Sequence, residues 1–206
     1  MHQWSSRFKK YLYNDLTNDT LKYYEAYSKT TRLVIGAMLA TLAAIFQSAG
    51  VFSGIGYTLS VLTTLPIVVS TIISIKNGLL TYLLTIFLLT IIQPSELFVF
   101  PFTTGLLGLS LGIGLRYFKN RLVVVSIGSL SLSVGILILL YGIKFPILGP
   151  AVSSTIDGVI MLYIVLFTFF YSLIWMLIST YGLGMMNKVF LRRTSSELCG
   201  EKITKN

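Results

Sequence analysis

Six residues could do chemistry that simple lipid or core packing does not explain: Gln47, Tyr57, Gln93, Glu96, Lys144 and Asp157. Each stands where a long apolar run gives way to a turn. Gln47 and Gln93 carry amides that donate and accept at once, which suits the orienting of a small ligand in an apolar pocket. Glu96, Lys144 and Asp157 lie in separate connections and could hold a polar ligand between them, or simply solvate loop tips. Tyr57, with Phe98, Phe100, Tyr141, Phe145 and Tyr163, could stack on a flat heterocycle or form the aromatic belt found where membrane meets water. The set is one for binding rather than for catalysis. No HExxH, GxSxG or phosphate loop occurs, and no carboxylate pair falls inside an apolar run. The only histidine is His2 and the only cysteine is Cys199, so neither an imidazole nor a thiolate metal cluster can be assembled. No catalytic residue, metal or cofactor is expected, and the chain does not read as an enzyme.

A second pattern concerns contact between helices. In "RLVIGAMLATLAAIFQSAG" the small residues Gly36, Ala40, Ala44 and Ser48 recur every fourth position. Residues four apart share a helix face, and small side chains let helices approach closely in lipid, where little hydrophobic drive joins them. This face either packs inside the chain's own bundle or docks a helix of another protein. Gly108 and Gly112 in a later run, and Ser126, Ser129 and Ser133 in the next, read as internal seams. Pro66 is expected to kink the helix that holds it.

The elements that must position these residues follow from composition. The chain has 206 residues, 54% hydrophobic and only 11% charged, with a mean hydropathy of +0.81. Soluble domains average roughly 25% charged residues. Six apolar runs, 33–49, 57–75, 79–93, 97–115, 122–142 and 159–180, suit membrane spans, the third being short against the usual 20 or so residues. Runs this continuous are helices, because a span must satisfy its own backbone and strand alternation is absent. The fold class is therefore all-α: a polytopic membrane protein of six transmembrane helices. Residues 1–31 form an N-terminal segment in which Trp4, Phe8 and Leu12 recur at helical spacing beside Arg7, Lys9 and Lys10. It is either a basic amphipathic helix on the membrane surface or a cap over the bundle. Residues 32–185 hold the membrane domain, and 186–206 form a polar tail.

Charge sets the orientation. Counted over alternate connections, fifteen bases fall on one side of the six runs and only Lys144 on the other. The positive-inside rule then puts both termini in the cytoplasm. The net charge of +9 reflects this topology rather than nucleic-acid binding, since no recognition module or basic stripe is present. All seven acids and sixteen bases lie at run ends or outside, which disfavours a proton pump or voltage sensor. With no nucleotide loop, any energy source must be another protein.

Taken together, the Ala40-x-x-x-Ala44 stripe, the stretch "LPIVVSTIISIKNGLLTYLLTIFLL" and the Gly-rich "FPFTTGLLGLSLGIGLRYFKNR" ending in a basic turn resemble the S components of energy-coupling-factor (ECF) vitamin transporters. They are also similar to a related group of uncharacterised bacterial six-helix membrane proteins. The resemblance covers residues 32 to 185. It implies a subunit of the bacterial cell membrane that captures a vitamin or similar small metabolite. It further implies docking through the first-helix stripe onto a transmembrane T component joined to two ATPases. The tyrosine-rich N-terminal segment fits instead a membrane protein that acts by partner contact, as an assembly factor or sensor. Partners are thus the lipid bilayer, other membrane subunits and a small molecule, with no nucleic acid.

Overall fold

The computed structural model describes residues 27–51, 59–144 and 158–203, with side chains as far as 182. Among these residues the fold is all-helical, with no strand. Helix α1 spans Lys29–Ser48, α2 Thr64–Ile73, α3 Ile75–Ile92, α4 Glu96–Phe102, α5 Thr104–Tyr117, α6 Arg121–Leu137 and α7 Gly158–Ile203. Five stretches are long and apolar enough to cross a membrane: α1, α3, the α4–α5 pair, α6 with the π turn that extends it to Gly142, and the first 25 residues of α7. The stretch Leu59–Ile73 is apolar but shorter.

Local chemistry explains the boundaries. The Ser28 hydroxyl accepts a bond from the Thr31 amide at 3.1 Å and caps α1, satisfying one of the donors a helix start leaves free. The first helix thus begins at Lys29, ahead of the boundary expected at residue 32. The Asn120 side chain does the same for α6, accepting from the Leu122 amide at 3.1 Å. The third apolar run grows at its start. Only Ser74 separates α2 from α3, so Lys76 and Asn77 lie inside the helix rather than in a turn. The second run is interrupted at Leu62–Thr63, where helix gives way to turn. A proline ring clashes with the carbonyl four residues earlier. For Pro66 that residue is Leu62, so the expected kink is a break. The fourth run breaks at Thr103, two residues after Pro101, where φ is −119° and ψ −99°. The C-terminal tail expected from residue 186 is a continuation of α7, which runs unbroken for 46 residues.

Cross-helix contacts fix directions. Thr81 bonds to the carbonyl of Gly36 and Thr85 to that of Ala40, a constant offset that makes α1 and α3 parallel. Gly108 meets Ile67 and Gly112 meets Thr71, which makes α2 and α5 parallel in the same way. Gly114 meets Val124 while Gly128 meets Leu107 and Leu111, so α5 and α6 are antiparallel. Thr168 bonds to both Ser129 and Ser133 while Ser172 lies beside Gly128, so α6 and α7 are antiparallel too. With α4 and α5 taken as one pass, the helices alternate in direction along the chain. Lys29, Arg32, Lys76, Arg116, Lys119 and Arg121 collect at one end of the bundle, and Glu96 and Lys144 at the other.

The polarity of the bundle is inside out. Met38, Ile91 and Phe170 are 69%, 70% and 62% exposed, whereas Thr64, Ser70, Thr71, Thr85 and Thr168 are fully buried. In water an apolar surface this large marks an interface or an aggregation hazard; against lipid it is the surface a membrane protein presents. The buried hydroxyls hold the helices together. Asn77 donates to Ser70 at 3.0 Å, and Ser70 shares a 2.6 Å bond with Thr81.

Candidate functional site

Two of the six candidate residues meet, at the less basic end of the bundle. Gln47 sits in the last turn of α1 and is 2% exposed. Its Nε2 donates to Glu96 Oε2 at 2.8 Å. Its Oε1 accepts from the Thr104 hydroxyl at 3.0 Å. Three helices are thereby tied by one amide: α1 supplies it, Glu96 opens α4 and Thr104 opens α5. The break at Thr103 makes this possible, because it turns the chain between the two partners of Gln47. Glu96 is half-buried. Gln93 stays in the α3–α4 turn, where its Nε2 donates to Ser95 Oγ at 3.1 Å. It borders the network without joining it.

Lys144 is exposed and takes a positive φ of 58°, past the π turn of α6. It is at the same end but forms no hydrogen bond or ion pair among the described residues. Tyr57 and Asp157 lie outside the described residues. Of the aromatics, Phe100 is fully buried with its ring centroid 5.7 Å from that of Tyr82, and Tyr163 is 68% exposed.

The small-residue stripe faces into the chain's own bundle. Gly36, Ala40, Ala44 and Ser48 are all buried within this chain. A Cβ on Gly36 would lie 2.7 Å from Asn77 Oδ1. Thr81 donates to the Gly36 carbonyl at 3.2 Å and Thr85 to that of Ala40 at 3.4 Å. Ala44 packs into the cluster of Ile67, Leu89 and Phe100, and Ser48 bonds back to the Ile45 carbonyl. The bare face exists so that hydroxyls of α3 can reach the backbone of α1. Within this chain these four residues are buried, which is the first of the two alternatives for the stripe, packing inside the chain's own bundle. Along α3 the row Asn77, Thr81, Thr85 repeats every four residues, and that repeat was the sequence signal pairing the two helices.

The residues sequence reasoning missed are Thr63 and Thr64, at the break in α2. Both are fully buried, and neither hydroxyl has a hydrogen-bond partner among the described residues. A buried helical threonine normally bonds back to a carbonyl three or four residues earlier, as Thr71 does to Ile67. At the opposite end Arg116 Nη1 donates to the carbonyls of Ile72 and Ile73 at 2.7 and 3.3 Å. A cation on the last carbonyls of a helix is the favourable pairing with its dipole. Among the described residues no group of three or more His, Cys, Asp or Glu side chains converges. What the site can do is bind by hydrogen bonding around one carboxylate. No known family, curated protein or solved structure matches this chain.

Proposed function

We propose that this chain is a six-span protein of the bacterial cell membrane, with both termini cytoplasmic. It captures a small metabolite at its outer end as the substrate-binding subunit of an ATP-driven uptake system of the ECF kind. The observation that carries this reading is the contrast between the two ends. Bases collect at one, as the positive-inside rule requires of a cytoplasmic face, and a hydrogen-bonded Gln47–Glu96–Thr104 network marks the other. Leu59–Ile73, the shorter apolar helix, is the remaining span. Energy comes from the transmembrane and ATPase partners the resemblance implies, docked on a surface other than the α1 stripe.

The test is native mass spectrometry of the purified chain. A retained small molecule, lost on Gln47→Leu, supports capture; an empty wild-type protein that still assembles with its partners counts against it. Topology is tested through Cys199, the only cysteine. An impermeant maleimide should leave it unlabelled in intact cells and label it in inverted vesicles.

A second reading, a membrane protein acting by partner contact alone, is favoured by one observation. Both polar atoms of the Gln47 amide are already satisfied within the chain. On that reading deletion of residues 2–28 abolishes function, and Gln47→Leu lowers stability without affecting any uptake.

A further inference from the structure

Helices α1 and α3 leave a groove of about 290 Å³ between them, lined by Leu33, Gly36 and Ala37 of one and by Asn77, Leu80, Thr81 and Leu84 of the other. Leu33, Ala37, Leu80 and Leu84 are exposed, so the groove opens outward, onto the apolar surface of the bundle. It exists because Gly36 and Ala37 are too small to fill the space between the flanking leucines. The polar groups of its floor are bonded inward. Asn77 Nδ2 donates to Ser70 at 3.0 Å, and the Thr81 hydroxyl shares a 2.6 Å bond with Ser70 and reaches the Gly36 carbonyl at 3.2 Å. Whatever enters the groove therefore meets mainly hydrocarbon. Pockets for whole small ligands run from about 300 to 1,000 Å³. This one is at the bottom of that range and follows α3 from Asn77 to Leu84, about 10 Å at 1.5 Å per residue. Those dimensions suit one hydrocarbon chain.

Charge stands at one end of this groove. Residues four apart share a helix face, and three bases each lie one turn before a lining residue: Lys29 before Leu33, Arg32 before Gly36 and Lys76 before Leu80. Because α1 and α3 are parallel, all three fall at the same end, the basic end of the bundle. Lys29 and Lys76 are exposed and Arg32 is half-buried. Long basic side chains near a helix end lay their stems along apolar surface and carry the charge to the interface. We infer that the groove is a binding site for an anionic phospholipid of the leaflet at the basic end. One acyl chain lies between α1 and α3, and the phosphate-bearing head group sits against Lys29, Arg32 and Lys76. Two properties select this occupant: an apolar body, and net negative charge one helical turn beyond it. A zwitterionic lipid meets only the first demand and a soluble anion only the second. Basic pockets between membrane helices on the cytoplasmic side hold anionic head groups in the same way. The inference needs the chain to lie in a membrane and takes nothing from the capture proposed above.

The experiment is native mass spectrometry of the full chain released from nanodiscs of equal parts phosphatidylglycerol and phosphatidylcholine with matched acyl chains. The expected result is one retained phosphatidylglycerol per chain, in excess over phosphatidylcholine. A base near an anionic lipid surface adds about 1 kcal/mol, so Lys29→Gln and Lys76→Gln should each lower that excess about fivefold. Lys119→Gln, at the same end but in the turn between α5 and α6, should leave it unchanged. Ala37→Leu, which fills the groove from its exposed side, should remove both lipids alike. Equal retention of the two lipids in the wild type would overturn the site. So would an excess that Lys119→Gln lowers as far as Lys76→Gln does, since the basic end would then attract anionic lipid as a whole. No retained lipid would also overturn it, and would leave the groove to a helix of another protein. Both lipids occupy both faces of the nanodisc, so the result does not depend on which way the chain is oriented. Retained phosphatidylglycerol with no metabolite removes the capture reading and keeps the lipid site; the reverse removes only the lipid site.

Discussion

The seam between α1 and α3 and the seam between α2 and α5 join helices that run the same way, yet they are closed by different chemistry. Along α1 the small residues clear a path for side-chain hydroxyls, and Thr81 and Thr85 reach the carbonyls of Gly36 and Ala40. Along α5 the glycines clear a path for hydrocarbon. Ile67 Cβ sits 2.8 Å from the Cβ position of Gly108, and Thr71 Cβ sits 2.5 Å from that of Gly112. The first seam depends on flexible polar groups and the second on fixed atoms near the α2 backbone. A stripe of small residues therefore does not say by itself what fills it, and the two fillings tolerate change differently.

Four substitutions test this contrast, measured as reversible unfolding of the purified chain in bilayers. Gly112→Val should cost most, about 3 kcal/mol, because the Thr71 Cβ cannot move without moving α2. Arg116→Ala, at the basic end of the same seam, should cost about 1.5 kcal/mol. It removes charge-assisted bonds to the Ile72 and Ile73 carbonyls, discounted for a guanidinium that solvent partly screens. Gly36→Ala should cost about 1 kcal/mol, since its clash is with the amide tip of Asn77, which can turn aside. Thr85→Val should cost least, about 0.6 kcal/mol, the usual worth of one interhelical hydrogen bond in a membrane, here the one to the Ala40 carbonyl. If Gly36→Ala proves as costly as Gly112→Val, the two seams are equally rigid and the distinction fails. If Thr85→Val exceeds Gly36→Ala, the polar seam depends on bonding rather than on fit.

Much of the fold was legible because lipid imposes simple demands on a chain. Long apolar runs announced helices, and the bases named one end of the bundle. The interruptions were legible only in part. Pro66 announced a disturbance, but whether it bends or breaks the helix depends on the Leu62 carbonyl, which no periodicity reveals. Pro101 and the turn at Thr103 went unread for the same reason. At the candidate site, Gln47 and Glu96 were recognisable as polar residues at run ends. Their bond joins positions 49 apart and is a product of packing. Thr63 and Thr64 were passed over because threonine in an apolar run normally satisfies itself on its own backbone. The stripe on α1 was legible as a face that either packs inward or docks a partner, and the polar row of α3 lies against it.

One feature of the last helix bears on how such a protein communicates. Helix α7 has 46 residues without interruption, about 69 Å at 1.5 Å per residue, against a hydrocarbon layer of roughly 30 Å. Its apolar stretch ends near Gly182, so a comparable length continues as helix beyond the basic end of the bundle. A rod gripped along its apolar half turns any tilt there into displacement of its far end. A shift of α7 against the Ser129–Thr168 contact is thus delivered at a distance as movement, with no loop in between to absorb it.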